Sequence, residues 1–269
     1  MKRLLCGLLL ACPVLAGNPL AVDLISDAKS IAPGETFHLG LRLTPPDGHH
    51  LYWKHPGAVG VATSIRWELP AGFAAGEIRW PAPEAVKMAR YTAQGYGGET
   101  LLIVPVTPPD PLPADAVALT AKVSWMCCGE RCHPASDVPF TLTLPVGKES
   151  VPDPATASLF EAYQAKIPRA DPAWQAGFER GDTSLVLTLK SLDPAVTRDV
   201  QDLGELRFFT ADGQIDSDRG QTVTRGPGQT LRIELPLPES PEPSASPTGV
   251  IVAGKGWRKA GGPVALEVK

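Results

Sequence analysis

Short runs of alternating apolar and polar residues, separated by proline and glycine, fill most of this chain. Phe37 to Leu43 alternates cleanly, which is typical of a strand with one buried face. Similar apolar runs occupy residues 23–31, 63–70, 101–106, 118–126 and 138–146. Turn residues separate these runs at the spacing seen in β-sandwiches, so the first half is predicted to form one sandwich. The intervening segment 84–98 is polar and glycine-rich and is predicted to be a loop lying over another part of the domain.

The second half continues the strand pattern and adds one helix. Strands are predicted at 184–189, 205–209, 230–235, 249–253 and 264–268. In residues 156–167, Leu159, Tyr163 and Ile167 recur at helical spacing before Pro168, which predicts a short amphipathic helix. The polar segment 149–154 is a linker, and 236–247 is a low-complexity mobile loop. The expected fold class is therefore all-β, with two β-sandwich domains in tandem and a short helix at the start of the second.

The N-terminus has the layout of a secretory signal. Lys2 and Arg3 precede an apolar run at 4–10, and the segment ends on a cleavage motif at Ala16. The expected organisation is a signal peptide at 1–16, a first domain at 17–147 and a second β-sandwich domain at 148–269. Cys12 ends a Leu-Leu-Ala-Cys segment that resembles a lipoprotein box, so a lipid-anchored form is the alternative. No other stretch approaches the roughly 20 apolar residues of a membrane-spanning helix.

Composition narrows the class of protein further. A hydrophobic content of 43% is enough for packed cores, although the chain has 29 prolines and 26 glycines. The net charge is −4 with both signs dispersed, so no basic stripe predicts nucleic-acid binding. Removal of the signal would leave three cysteines, too few for a disulfide scaffold in an oxidising compartment.

Those three cysteines, Cys127, Cys128 and Cys132, lie between two predicted strands. Adjacent Cys127 and Cys128 would point to opposite faces of a strand, which argues against a bond between them. Cys128 and Cys132 flank three residues, and positions flanking a hairpin loop lie within disulfide range. A loop this short is a poor staple, and Arg131 and His133 would favour thiolate. These features favour a working dithiol, while a structural disulfide stays open.

Three histidines in seven residues, His49, His50 and His55, raise the question of a metal site. The usual carboxylate or cysteine partner is not local, so solvated loop histidines are the preferred interpretation. The second half has neither cysteine nor histidine, and its aspartates lack the spacing of a calcium loop. The preferred interpretation of the sequence therefore includes no metal and no cofactor.

Five motifs occur in the order found in the periplasmic N-terminal domain of DsbD-type thiol:disulfide interchange proteins. They are YWKHPG at 52–57, WELPAGF at 67–73, WPAP at 80–83, GYGGE at 95–99 and WMCCGERCHP at 125–134. Over roughly residues 20–147 the sequence resembles that family, and especially its ScsB-like branch, which includes suppressors of copper sensitivity. The resemblance implies an immunoglobulin-like first domain with Cys128 and Cys132 as its redox pair. It also implies an aromatic cap over that pair, for which 91–96 is the candidate segment.

The resemblance further implies the partners. The redox pair would take electrons from a membrane reductase and pass them to periplasmic thioredoxin-fold oxidoreductases. Family members continue into a transmembrane domain and a thioredoxin-like domain; this chain has neither, so the electron donor is expected to be a separate protein. The second sandwich resembles the second periplasmic domain of the ScsB-like branch and would serve spacing or docking.

The expected function is an exported, periplasmic thiol–disulfide exchange module. Such a module would be a component of a protein-disulfide reductase. Two alternatives remain. In the first, Cys127, Cys128, Cys132 and His133 offer soft ligands for Cu(I) in a copper-tolerance protein. In the second, the sandwiches are an adhesion or assembly module with a structural disulfide.

Overall fold

The structure, a computed structural model, describes residues 18–112, 114–240 and 247–269. The predicted signal peptide, the lipidation site at Cys12 and residues 241–246 of the predicted low-complexity loop lie outside the described residues. The strands of the first half are β1 (Ala21–Ser26), β2 (Ala28–Ser30), β3 (Phe37–Thr44), β4 (Leu51–Gly57), β5 (Ser64–Glu68), β6 (Ala74–Ala75), β7 (Glu84–Met88), β8 (Tyr91–Tyr96), β9 (Thr100–Thr107), β10 (Ala116–Cys128), β11 (Cys132–Pro145) and β12 (Val151–Pro152).

The helix α1 (Ala157–Gln164) follows β12. The strands of the second half are β13 (Trp174–Arg180), β14 (Ser184–Ser191), β15 (Leu206–Thr210), β16 (Thr222–Gly226), β17 (Thr230–Pro236), β18 (Gly249–Ala253) and β19 (Ala265–Val268). Over the described residues the fold is all-β with one short helix. The two halves form tandem β-sandwiches, as the strand pattern predicts, and they are immunoglobulin-like, as the family resemblance implies. The division into domains at residue 147 stays a prediction.

The first sandwich packs the sheet β1-β3-β9-β6 against the sheet β11-β10-β5, and β4-β8-β7 forms a third sheet beside them. Alternation along β10 builds the core, since Val117, Leu119, Ala121, Val123 and Trp125 are all buried on one face. Such a strand has one face in the core and the other at the surface. The last residues of β10 therefore carry a chemically distinct site at the end of a well-packed strand.

The predicted first strand, 23–31, is interrupted at Asp27 and forms β1 and β2 instead. The Asp27 carboxylate accepts hydrogen bonds from the His38 backbone N at 2.8 Å and contacts His38 Nδ1 at 2.7 Å. A side chain that bonds the neighbouring backbone in this way competes with the ladder. The alternation of apolar residues gives no sign of this side-chain bond, so the sequence predicts one continuous strand where the structure has two.

The second sandwich packs the sheet β13-β14-β17-β16 against β15-β18-β19. Trp174 and Trp257 meet edge to face at its centre, with ring centroids 5.2 Å apart. All five predicted strands of this half are present within a few residues of their expected bounds. Strands β13 and β16 were not predicted, because their exposed polar residues give no alternating apolar signal.

The helix prediction is confirmed, and α1 packs against the first sandwich rather than the second. Its Phe160 and Tyr163 contact Leu101 and Ile103 on the outer face of β9. A Cβ at Gly40 would lie 2.8 Å from the Phe160 ring, so only glycine leaves room for this contact. Strand β12 pairs with β2, which attaches the same segment to the first sandwich.

The described part of the chain contains no helix with the length and apolar character needed to cross a membrane.

Candidate redox site

A disulfide joins the last residue of β10 to the first residue of β11. Cys128 and Cys132 are the final pair in the antiparallel register, and their Cα atoms are 4.1 Å apart. Gly129, Glu130 and Arg131 form the turn, which the bond from Gly129 N to Arg131 O closes at 3.0 Å. The sequence prediction that these two cysteines face each other across a three-residue hairpin is confirmed. Their role in electron transfer stays a prediction.

The two sulfur-bearing residues differ in exposure. Cys128 is 0% exposed, whereas Cys132 is partly exposed. Glu130 and Arg131 at the tip of the turn are both exposed. The disulfide is therefore accessible on the Cys132 side.

A β-hairpin covers the disulfide. The segment 84–98, expected as a loop, forms the paired strands β7 and β8. Val86 and Ala93 of this hairpin pack in one cluster with Cys128, and Met88 and Cys132 both pack against that cluster. Apolar side chains of the hairpin form the cover, so the site is shielded from water on the Cys128 side.

The aromatic cap expected at 91–96 is only partly correct. The hairpin that contains this segment covers the disulfide, but it does so with aliphatic side chains and not with its tyrosines. Tyr91 lies at the hairpin tip, where the Arg90 guanidinium stacks on its ring. Tyr96 belongs to the main core and donates its hydroxyl to Pro81 O at 2.8 Å. Neither tyrosine is in the cluster around the disulfide. The aromatic member of that cluster is Tyr52 of β4.

Cys127 is separated from the Cys128–Cys132 disulfide by the sheet. It is 0% exposed and lies in the core between the sheets with Trp125 and Trp53, on the opposite face from Cys128. Burial raises the pKa of its thiol to about 11. Thiolate is the reactive form, so the burial and the raised pKa disfavour reaction of the Cys127 thiol at neutral pH.

The histidines of the YWKHPG region do not gather into one site. His49 packs over the turn at Gly129, and its ring centroid lies 5.9 Å from that of His133. His50 is buried beside Tyr52, with a ring-centroid distance of 5.1 Å. His55 lies against the second sandwich near Gly213. Within the described residues, no group of three or more His, Cys, Asp or Glu side chains could hold a metal ion.

Burial shapes the charge state of these histidines. The pKa of His50 is lowered by burial and, to a smaller extent, by the neighbouring His49. The pKa of His55 is also lowered by burial, which outweighs the opposing effect of Asp212. Both imidazoles therefore favour the neutral form. Sequence reasoning treated His50 as a solvated loop residue and missed its burial, although its two-residue spacing to Tyr52 indicated that both share a face.

The second sandwich contacts the hairpin that covers the disulfide. Gln94 of β8 is buried, and its side-chain amide donates to His55 O and to Thr210 O, each at 2.8 Å. Its Oε1 accepts from Thr210 N at 2.8 Å. The backbone N–H of Thr92 donates a further hydrogen bond to Asp218 Oδ1 at 2.6 Å. Strand β8 is thereby held between the disulfide on one side and the second sandwich on the other.

The same junction has an apolar part. Phe209 of β15 and Val250 of β18 pack in the core cluster of the first sandwich. The two halves therefore share a packed contact in addition to the linker and α1.

Comparison with known proteins gives a consistent result for the first half. Residues 19–145 match the family model described as thiol:disulfide interchange protein DsbD, N-terminal. The crystal structure of the N-terminal periplasmic domain of ScsB from Proteus mirabilis superposes with a TM-score of 0.63 at 16% identity, covering 94% of each chain. At this identity the likeness establishes the fold alone, and it extends over both sandwiches.

Two other solved structures are much less similar. A cohesin module of a family 33 glycoside hydrolase from Clostridium perfringens covers 47% of this chain and 96% of its own, with 10% identity and a TM-score of 0.31. The sporulation control protein Spo0M from Bacillus subtilis has a TM-score of 0.25 at 10% identity, with 93% of this chain and 89% of its own covered. Comparison with curated protein sequences gave no significant match.

Proposed function

Because residues 19–145 form a domain of the DsbD N-terminal family, we propose that this chain passes electrons through Cys128 and Cys132 to protein disulfides. The observation that carries the proposal is the unequal exposure of a bonded cysteine pair. Cys132 is partly exposed at the turn, and Cys128 is buried under an apolar hairpin. Exchange requires one sulfur that a partner can reach and a second that resolves the mixed disulfide.

The reaction proceeds in two exchanges. In the reduced protein, the Cys132 thiolate attacks one sulfur of a partner disulfide, which forms a mixed disulfide and releases one partner thiolate. Cys128 then loses its proton and attacks Cys132 Sγ, which releases the second partner thiolate and forms the Cys128–Cys132 bond. Two electrons pass from the pair to the partner. Re-reduction by an electron donor runs the same steps in reverse.

The proposed acceptors are periplasmic thioredoxin-fold proteins, and the proposed donor is a separate membrane reductase. Family membership supports this choice, since the matched model belongs to a thiol:disulfide interchange protein. The proposal places the mature chain in the periplasm after export by the segment 1–16. It divides the mature chain into a redox domain at 17–147 and a second sandwich at 148–269 that positions the covering hairpin.

The test is to trap the mixed disulfide with single-cysteine variants. Reduced Cys128→Ser is incubated with a panel of oxidised thioredoxin-fold proteins, and products are separated without reductant and identified by mass spectrometry. Because Cys132 can attack but nothing resolves the product, Cys128→Ser accumulates a mixed disulfide through Cys132. The matched Cys132→Ser variant forms none, because Cys128 is buried.

The double variant Cys128→Ser, Cys132→Ser controls for Cys127. It is expected to be inactive, since Cys127 is buried on the opposite face. Exchange at the wild-type rate by this double variant would overturn the proposed function.

A further inference from the structure

His50, the residue just before β4, lies directly opposite Cys128 in an antiparallel bridge. The two residues exchange both backbone hydrogen bonds, from His50 N to Cys128 O at 2.8 Å and from Cys128 N to His50 O at 3.0 Å. Residues paired in this way have side chains on the same face of the sheet, with Cβ atoms about 5 Å apart. Cys128 is also opposite Cys132 on its other side. The imidazole and the two sulfurs therefore form one row across three strands.

Packing confirms which face of the sheet the imidazole occupies. Leu51 and Trp53 point into the main core, whereas Tyr52 packs in the cluster around Cys128. His50 contacts Tyr52 edge to face, so it lies on the Cys128 face. It is 5% exposed, which places a titratable ring in an apolar setting beside a buried sulfur.

One atom of this ring has no partner. His50 Nε2 is buried and makes no hydrogen bond. Buried polar atoms are almost always paired, so an orphaned one requires an explanation. In the oxidised protein the neighbouring Cys128 sulfur carries no proton. Reduction gives Cys128 an S–H group. This group is a hydrogen-bond donor for the lone pair of His50 Nε2, which has no donor in the oxidised protein.

We propose that His50 accepts the proton of Cys128 when this buried thiol resolves the mixed disulfide. The inference rests on the proposed exchange function and assigns its second step. Neutral His50, in the tautomer with the proton on Nδ1, takes the Cys128 proton on Nε2. The thiolate attacks Cys132 Sγ and breaks the bond to the partner sulfur. The imidazolium then gives its proton to the departing partner thiolate or to solvent, which restores neutral His50.

This assignment accounts for a requirement that the burial of Cys128 creates. Burial in apolar surroundings disfavours the thiolate, so a solvent-independent proton acceptor is needed at this position. The lowered pKa of His50 keeps the imidazole neutral, and thus able to accept a proton, across the neutral range. Proton transfer by a positioned side chain typically contributes a factor of about 100 or more.

The titratable groups that face His50 come from three strands. They are Tyr52 of β4 with His49 just before that strand, Cys128 of β10 and Cys132 of β11; His133 of β11 lies against His49. The cations of the covering hairpin are engaged elsewhere, since Lys87 donates to Thr92 and Arg90 to Tyr91. Among the described residues, the pKa of the His50 imidazole is set by burial and by His49, and no carboxylate raises it.

The test separates the two steps with dithiobis(nitrobenzoate) as a defined small disulfide. The reduced protein is mixed with one equivalent, and thionitrobenzoate release is followed by stopped-flow absorbance from pH 5.5 to 8.5. The first equivalent reports attack by Cys132, and the second reports resolution by Cys128. In His50→Gln the second phase is expected to slow by about 100-fold, while the first phase stays within about twofold.

The pH profile distinguishes proton transfer from a structural effect. In the wild type, the second-phase rate rises with pH and levels off above the pKa of His50. In His50→Gln it rises continuously, about tenfold per pH unit, because only spontaneous thiol ionisation remains. The backbone bonds to Cys128 do not involve the replaced side chain. His55→Gln, at a partly buried histidine that lies against the second sandwich near Gly213, is the matched control, and both of its phases are expected to follow the wild type.

Failure of the inference and failure of the proposed function give different results. A wild-type protein that releases no thionitrobenzoate contradicts the exchange function itself. A wild-type protein that shows both phases, with His50→Gln giving the same second-phase rate and pH profile, overturns the role of His50 alone. Equal slowing of both phases in His50→Gln also overturns it, since a general loss of packing would affect both steps.

Discussion

Gln94 is the residue whose replacement most directly tests how the covering hairpin is held. Its buried amide makes three hydrogen bonds of 2.8 Å, to His55 O, Thr210 O and Thr210 N. Two of these partners lie in the second sandwich. Gln94→Leu keeps a side chain of similar size and removes all three bonds, so it isolates hydrogen bonding from packing.

The expected loss of stability is large because the buried partners of Gln94 cannot form replacement hydrogen bonds with water. A hydrogen bond contributes about 1 kcal/mol net, and leaving a buried partner unsatisfied costs about 1–3 kcal/mol. Three bonds lost at about 1 kcal/mol each give a decrease of about 3 kcal/mol in the free energy of unfolding. Gln175→Leu, at an exposed strand position, is the matched control and is expected to change stability by no more than about 0.5 kcal/mol.

Two measurements check this prediction. Urea unfolding followed by tryptophan fluorescence gives the change in free energy, and native-state hydrogen exchange reports the Thr210 amide, which donates to Gln94 Oε1. Gln94→Leu is expected to speed exchange of this amide selectively. A stability loss below about 1 kcal/mol, with unchanged exchange at Thr210, would refute the reasoning that Gln94 joins the hairpin to the second sandwich.

Two further predictions concern groups in and near the site. Because Cys127 is buried and its pKa is about 11, native protein at pH 8 should resist iodoacetamide at this residue and react only on unfolding; Cys127→Ala should leave exchange unchanged and cost about 1–2 kcal/mol. Rapid native labelling would contradict the inert role. Because the folded pKa values of His50 and His55 are lowered, the unfolded chain binds protons first as pH falls below about 6.5, so the free energy of unfolding should decrease below that pH. Urea titrations of His50→Gln and His55→Gln should each show a weaker decrease, and an unchanged pH dependence in both would contradict the lowered values.

Apolar alternation predicted most of the architecture because burial decides it. The run through β10 is recognisable since every second side chain from Val117 to Trp125 is buried. The same reasoning failed at Asp27, where a side chain bonds the backbone and divides a strand. It also failed at β7 and β8, whose polar and glycine residues read as a loop. Their pairing depends on contacts with the disulfide and the second sandwich, which lie far away in sequence.

The cysteine pair could be predicted because a three-residue turn fixes the geometry locally. Its surroundings could not, since they come from distant segments. His50 contacts Cys128 across 78 positions of sequence only because β4 borders β10, and no local pattern in the HHLYW stretch indicates that neighbour. The cap residues were expected to be aromatic from the family resemblance. In this chain Val86, Met88 and Ala93 cover the pair instead. The resemblance therefore predicted a cover over the disulfide but not the type of side chain that forms it.

The reduction potential of the Cys128–Cys132 couple tests the central claim most directly. The mature protein is equilibrated in a series of thiol redox buffers, quenched by alkylation and analysed by mass spectrometry. A working exchange module is expected to show a reversible two-electron transition at roughly −180 to −270 mV. A bond that stays closed below about −300 mV would be a structural disulfide, and that result would contradict electron transfer through this pair.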